Sequence, residues 1–131
     1  MERPLRVAEL DHVVLRCRDQ ARSLDFYVRV LGCPEERRID AIGLVQLRAG
    51  ASLIDLVPAE PPPRQEERNV DHFCIGIAAT DMNTVARWLR GEGVEVLGEP
   101  TERYGARGTG LSVYVLDPDR NVVELKQLPP T

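Results

Sequence analysis

Two segments of this chain open in the same way, Leu10-Asp11-His12-Val13-Val14-Leu15 and Val70-Asp71-His72-Phe73-Cys74-Ile75, and between them they hold both histidines. Each reads as an Asp-His dipeptide leading into a short apolar run. An acidic residue recurs late in each half, as Asp55 in Leu53-Ile54-Asp55-Leu56-Val57 and as Glu124 in Val122-Val123-Glu124-Leu125. Charges are rarely placed inside such runs unless something pairs with them. The repeat constrains the fold more than any other feature, because what one half builds the other should build again.

The rest of each half supports a common plan. Residues 9–17 alternate and read as a strand. Asp19 caps a helix predicted over 20–31, with Ala21, Leu24, Val28 and Leu31 as its buried stripe and Gly32 as its stop. Strands follow at about 35–40, 43–48 and 52–58, with turn signals at Asp40-Ala41 and Ala49-Gly50. A Pro-rich, charged linker occupies 60–69. The plan then restarts with a strand at 70–78 and a helix over 82–91 capped by Asp81, presenting Val85, Trp88 and Leu89 to the core. Strands are expected at about 94–98, 111–117 and 121–127, the last two joined by the Asp117-Pro118-Asp119-Arg120-Asn121 turn. Between them, Arg103 to Gly110 reads as a mobile, glycine-rich loop. Each half is therefore β-α-β-β-β. A module of this size cannot cover both faces of its sheet alone, so the two should pair as one domain over residues 1–131, with module one at about 8–59 and module two at about 70–128.

Composition removes several classes of function. A net charge of −4 gives no electrostatic reason to expect nucleic acid. No apolar run approaches the roughly 20 residues that span a bilayer, and the first residues show no secretory pattern. A cytoplasmic location is the resulting expectation. The cysteines, Cys17, Cys33 and Cys74, are odd in number and lack a CxxC pair, which argues against a disulfide framework or a thiolate zinc site. Cys17 and Cys74 read as small buried strand residues, with Cys74 on the strand face of His72. Tyr27 and Trp88 read as helix-to-sheet packing residues.

Strand parity places His12, Val14 and Arg16 on one face, and Val122, Glu124 and Lys126 on another. The first and last strands of each module could thus present polar groups to a common concave surface. A lone strand histidine is ordinarily a hydrogen-bonded core or surface residue, but two at equivalent module positions read as a divalent-metal site made of His12, His72 and Glu124, with Asp55, one methylene shorter than glutamate, either a fourth ligand or a group behind the ligands or facing solvent. Imidazole with carboxylate suits zinc, nickel, manganese, iron or cobalt.

Taken with Asp19, Ser23-Leu24-Asp25-Phe26-Tyr27, Leu31-Gly32, Ser112-Val113-Tyr114 and Asp117 to Leu125, these segments make the chain resemble the vicinal oxygen chelate superfamily, which includes glyoxalase I, fosfomycin-resistance thiol transferases, extradiol dioxygenases and bleomycin-binding proteins. The likeness runs from about residue 8 to 127. The fold expected is α+β, two βαβββ modules pairing into a half-open mixed β-barrel with flanking helices. The resemblance implies metal ligands at His12, His72 and Glu124, and glyoxalase-like members add a glutamate where this chain has Asp55. It also implies a homodimer sharing its metal site between chains. The leading expectation is a metal-dependent lyase, isomerase or transferase acting on a small oxygen-rich metabolite, with Glu124 or Asp55 moving the proton. Arg16, Arg103, Tyr104 and Arg107 are the expected substrate contacts. The alternatives are a sequestering module of the bleomycin-resistance type, and an Fe(II) dioxygenase using the same His₂-carboxylate set.

Overall fold

The computed structural model describes residues 6, 9–59, 70 and 72–130; the expected linker at 60–69, Asp71 and the first five residues lie outside them. Module one runs β1 (His12–Cys17), α1 (Gln20–Leu24), a π-helical continuation (Asp25–Val30), β2 (Glu35–Ile39), a 3₁₀ turn (Asp40–Ile42), β3 (Leu44–Ala49) and β4 (Ser52–Pro58). Module two runs β5 (Phe73–Ile77), α2 (Met82–Gly91), β6 (Val96–Gly105), β7 (Gly108–Leu116) and β8 (Val122–Gln127). Each module forms one four-stranded mixed sheet, in the orders β1-β4-β3-β2 and β5-β8-β7-β6. The first strand lies parallel to the last in both, and the remaining pairs are antiparallel. The two sheets are separate, so the expected half-open α+β architecture holds. No helix among the described residues is long and apolar enough to cross a membrane.

Alternation divides each sheet into an apolar and a polar face. Val45, Leu47, Ile54 and Leu56 of the first sheet are buried, as are Val113, Val115, Val123 and Leu125 of the second. Their odd-and-even neighbours include His12, Gln46 and Asp55 in one module and Cys74, Ser112 and Glu124 in the other. Both helices begin as the sequence requires. Asp19 accepts from the Arg22 amide at 3.2 Å, and Asp81 accepts from the Asn83 and Thr84 amides at 2.9 and 3.3 Å.

Three expectations fail for identifiable reasons. The first helix widens after Leu24, so that the Leu31 amide donates to the Phe26 carbonyl at 3.0 Å, a five-residue step. Its most buried line is Ser23, Phe26, Tyr27 and Val30, whereas Leu24, Val28 and Leu31 are half-buried and Ala21 is exposed. Hydroxyl groups of Ser23 and Tyr27 go inside because buried carboxylates await them there. In α2 the line facing the sheet is Met82, Ala86 and Leu89; Trp88 is 52% exposed and does not pack as expected. Finally, the presumed loop 103–110 is the closed end of a long hairpin. Gly105 pairs with Gly108 across Ala106-Arg107, and the positive φ of Gly108 (92°) permits that tight turn.

A buried polar cluster ties the modules together. The Tyr27 hydroxyl donates to Asp117 Oδ2 at 2.7 Å, the Ser23 hydroxyl to Asp119 Oδ2 at 3.3 Å, and the Arg18 amide to Asp119 Oδ1 at 2.8 Å. Asp117 also accepts from the amides of Asp119 and Asn121 and from the Asn121 side chain. Burial nevertheless holds its carboxyl above the ordinary value, and pushes the Tyr27 phenol well up. Tyr27→Phe keeps the ring but removes one donor to a buried carboxylate. It should cost about 1–3 kcal/mol of stability, read from urea unfolding.

Asp81 supplies a second check. The amides it caps hold its carboxyl below the ordinary 3.8. Its contribution is therefore present above that pH and lost as pH falls through the lower folded-state value. Asp81→Ala should lower Tm at neutral pH, and the difference from the parent should close as the pH is taken below 3.8.

Candidate functional site

The two histidine–carboxylate pairs occupy equivalent places in the strand ladders. In module one Val14 of β1 stands beside Asp55 of β4, and His12 lies two residues before Val14. In module two Cys74 of β5 stands beside Glu124 of β8, and His72 lies two residues before Cys74. The equivalence extends to the third strand, where Gln46 faces Asp55 and Tyr114 faces Glu124. The repeat seen in sequence is thus a repeat of register on both polar faces.

Side-chain contacts differ between the halves. His72 Nε2 lies 3.2 Å from Glu124 Oε1, and the Ser112 hydroxyl donates to Glu124 Oε2 at 2.7 Å. Glu124 is buried, so both of its oxygens are engaged where water is scarce. The ring of Tyr114 meets His72 edge-on at a centroid separation of 5.7 Å. Arg103 donates from Nε to the Tyr114 hydroxyl at 3.1 Å, with its guanidinium carbon 5.8 Å from the ring centre.

In module one the shorter Asp55 turns to Gln46, whose amide nitrogen donates to its two oxygens at 3.2 and 3.1 Å. His12 is exposed and contacts Asp11 Oδ1 through Nδ1 at 2.8 Å. That hydrogen bond raises the imidazole above its ordinary 6.5; partial desolvation opposes it, and the charges of Asp55 and Asp11 add to it.

Among the described residues no three of His, Cys, Asp and Glu lie close enough to hold one metal ion. A single chain brings His72 to Glu124 but does not gather His12 and Asp55 with them. The imidazole–carboxylate pair suits a first-row divalent ion as part of a larger donor set. A largely apolar cavity of about 810 Å³ opens beside β1 and β5, with His12, Arg48 and Cys74 on its wall.

The expected substrate contacts scatter. Arg103 joins the polar face through Tyr114. Tyr104, its neighbour in the strand, is 85% exposed and takes the opposite face by alternation, while Arg107 occupies the hairpin tip. Arg16 is exposed on the His12 face, opposite Val57. Gln46, Ser112 and Tyr114 join the site without a motif of their own in the sequence. Each is polar at a position facing a carboxylate-bearing strand, a signal visible once the register of β3 and β7 is known.

The profile of the Glyoxalase/Bleomycin resistance protein/Dioxygenase superfamily matches residues 9–125. A glyoxalase domain-containing protein, RDO1, of Mycosarcoma maydis is 30% identical over 128 residues, covering 95% of this chain and 70% of that protein. Virulence protein STM3117 of Salmonella typhimurium is 30% identical over 129 residues, covering 92% of this chain and 85% of that protein. Its crystal structure superposes with a TM-score of 0.77 over 95% of this chain and 100% of that one, at 28% identity. The fosfomycin resistance protein FosX of Listeria monocytogenes shares the fold, with a TM-score of 0.72 over 95% of this chain and 96% of that one, at 19% identity.

Cys74 faces Glu124 and is exposed, not buried as its strand position suggested. Partial desolvation and the adjacent Glu124 push its thiol up to about 11, while Cys17, buried, is also pushed up to about 11. Iodoacetamide at neutral pH should therefore label the native protein slowly. Cys74 should react first as the pH approaches 11, read by peptide mass spectrometry. Fast labelling at neutral pH would reveal an activated thiolate.

Proposed function

Because the chain belongs to the glyoxalase/bleomycin resistance protein/dioxygenase superfamily, we propose that it is a metal-dependent, glyoxalase-like lyase, isomerase or transferase acting on a small oxygen-rich metabolite. The observation that carries this reading is the His72–Glu124 contact on one polar face, matched in register by His12 and Asp55 on the other.

The donors fit one divalent first-row ion, among zinc, nickel, manganese, iron and cobalt. Among the described residues one chain brings a single pair into contact, so the reading includes a homodimer in which His12 of one copy joins His72 and Glu124 of the other, with Asp55 as a fourth donor. When bound, the ion supplies Lewis-acid stabilisation to charge developing on substrate oxygens. The chain's own groups do the rest. Ser112 fixes the orientation of Glu124, and Gln46 fixes that of Asp55. These two carboxylates are the proton carriers of the scheme. Tyr114 and Arg103 orient the substrate beside His72, Arg16 contributes from the His12 face, and Tyr104 and Arg107 act at the rim. A cytoplasmic location belongs to the same reading.

The apolar cavity of about 810 Å³ favours a second reading, sequestration of a small molecule without chemistry, since it is the size of an ordinary ligand pocket. Elemental analysis by plasma mass spectrometry, after stripping and reloading, separates the two. The enzyme reading expects about one first-row metal per chain, with loss of about tenfold or more in affinity for His72→Ala and for Glu124→Gln. Iron with oxygen consumption would identify a dioxygenase; no uptake would leave sequestration. Sharing between chains has its own readout. His12→Ala and Glu124→Ala, each inactive in metal binding, should regain about a quarter of the sites when mixed and allowed to exchange subunits. No recovery on mixing would place all ligands in one chain.

A further inference from the structure

Lys126 is a buried charge that the preceding scheme does not use. It lies two residues beyond Glu124 on the same face of β8, beside Gly76 of β5 and Ser112 of β7, and is only 4% exposed. A lysine is almost never buried so far unless its charge is compensated. Glu124, two residues away on the same strand face, turns its two oxygens to His72 and Ser112 and forms no ion pair with it. Among the described residues no carboxylate reaches the ammonium within ion-pair distance.

The surroundings of Lys126 are shaped to hold it. A Cβ built at Gly105 would meet its Cδ and Cε at 3.1 Å, and one built at Gly110 would lie 3.2 Å from Nζ. The lysine thus runs along two bare positions of the β6–β7 hairpin, with its ammonium above Gly110. The ladder partner of Gly110, on the same face, is Arg103. Directly opposed residues stand about 5 Å apart at Cβ. The two cations therefore share one patch of the face, with no side chain on the glycine between them. Two positive groups brought together beside the His72–Glu124 pair make a seat for negative charge.

We propose that Lys126 and Arg103, flanking Gly110, form a binding seat for an oxyanion of the substrate, a carboxylate or a phosphate-type group. This deepens the proposed function by naming a charge on the metabolite, and the seat itself stands without the metal. With Nε given to Tyr114 and Nη1 to the Glu102 carbonyl, the guanidinium keeps Nη2 for such a group, and the lysine, its stem packed along the hairpin, adds a point charge beside it. The hydrogen bond from Arg103 to Tyr114 holds the guanidinium at the rim, close to His72.

The test uses the metal-stripped full chain, so that anions cannot bind through a metal. Inorganic phosphate and acetate are titrated separately at constant ionic strength, following amide shifts of Gly105, Gly110 and Ser112 by NMR. Saturable shifts with either anion are expected, and the stronger binder identifies the group recognised. Lys126→Met and the surface variant Arg103→Met should each weaken binding by about tenfold, with Arg103→Met leaving the fold intact. Lys126→Met should also unfold at a higher temperature than the parent in anion-free buffer, an advantage that saturating anion removes. Absence of saturable shifts for both anions, or unchanged binding in both variants, overturns the seat. Glu124→Gln, run in parallel, separates the two ideas: anion binding kept while metal uptake is lost upholds the seat, and anion binding lost from this variant alone overturns it as an independent site.

Discussion

The module-two half of the site rests on how the Asp117–Asn121 turn is held. Two carboxylates of module two lie buried against the first helix of module one, answered by the hydroxyls of Ser23 and Tyr27 and by the Arg18 amide. Buried carboxylates are costly alone and acceptable when every lone pair finds a donor, which makes the docking specific as well as tight. The turn joins β7 to β8, so fixing it fixes the strands that carry Ser112, Tyr114, Glu124 and Lys126. The clamp also accounts for the placement of two hydroxyl residues on the buried line of the first helix.

The second organising fact is that the repeat operates at the level of strand register. Placing a histidine two residues before the neighbour of a carboxylate occurs twice, in β1–β4 and in β5–β8. The chemistry has then diverged. Glu124 reaches its histidine and is braced by a hydroxyl, whereas Asp55, one methylene shorter, is braced by an amide. A common scaffold therefore offers one carboxylate already engaged with imidazole and one held apart from it.

Much of this was legible in the sequence because alternation along strands is a strict rule. Parity alone put His12 and Glu124 on polar faces, and capping residues marked both helix starts correctly. What escaped detection depended on partners remote in sequence. Ser23 looked less suited to burial than Leu24 or Val28, and the partner of the Tyr27 hydroxyl was invisible, until Asp117 and Asp119 are seen waiting for them. Trp88 looked like core by size, yet the face of its helix is set by Met82, Ala86 and Leu89. The glycines between residues 105 and 110 suggested a loose loop, although here they make a hairpin tight and leave room for a lysine.

The widened turn between Asp25 and Val30 bears on how this chain can vary in length. A helix wound with five-residue steps carries more residues per turn than an α-helix does. It keeps Tyr27 and Val30 against the core while still delivering Gly32 to the point where β2 must start. Loss of one residue from that stretch can be taken up by ordinary α-winding, with the contacts on either side preserved. Elsewhere in the chain the tolerance is far lower, since one residue added to or removed from β4 or β8 would turn its carboxylate from the polar face into the core.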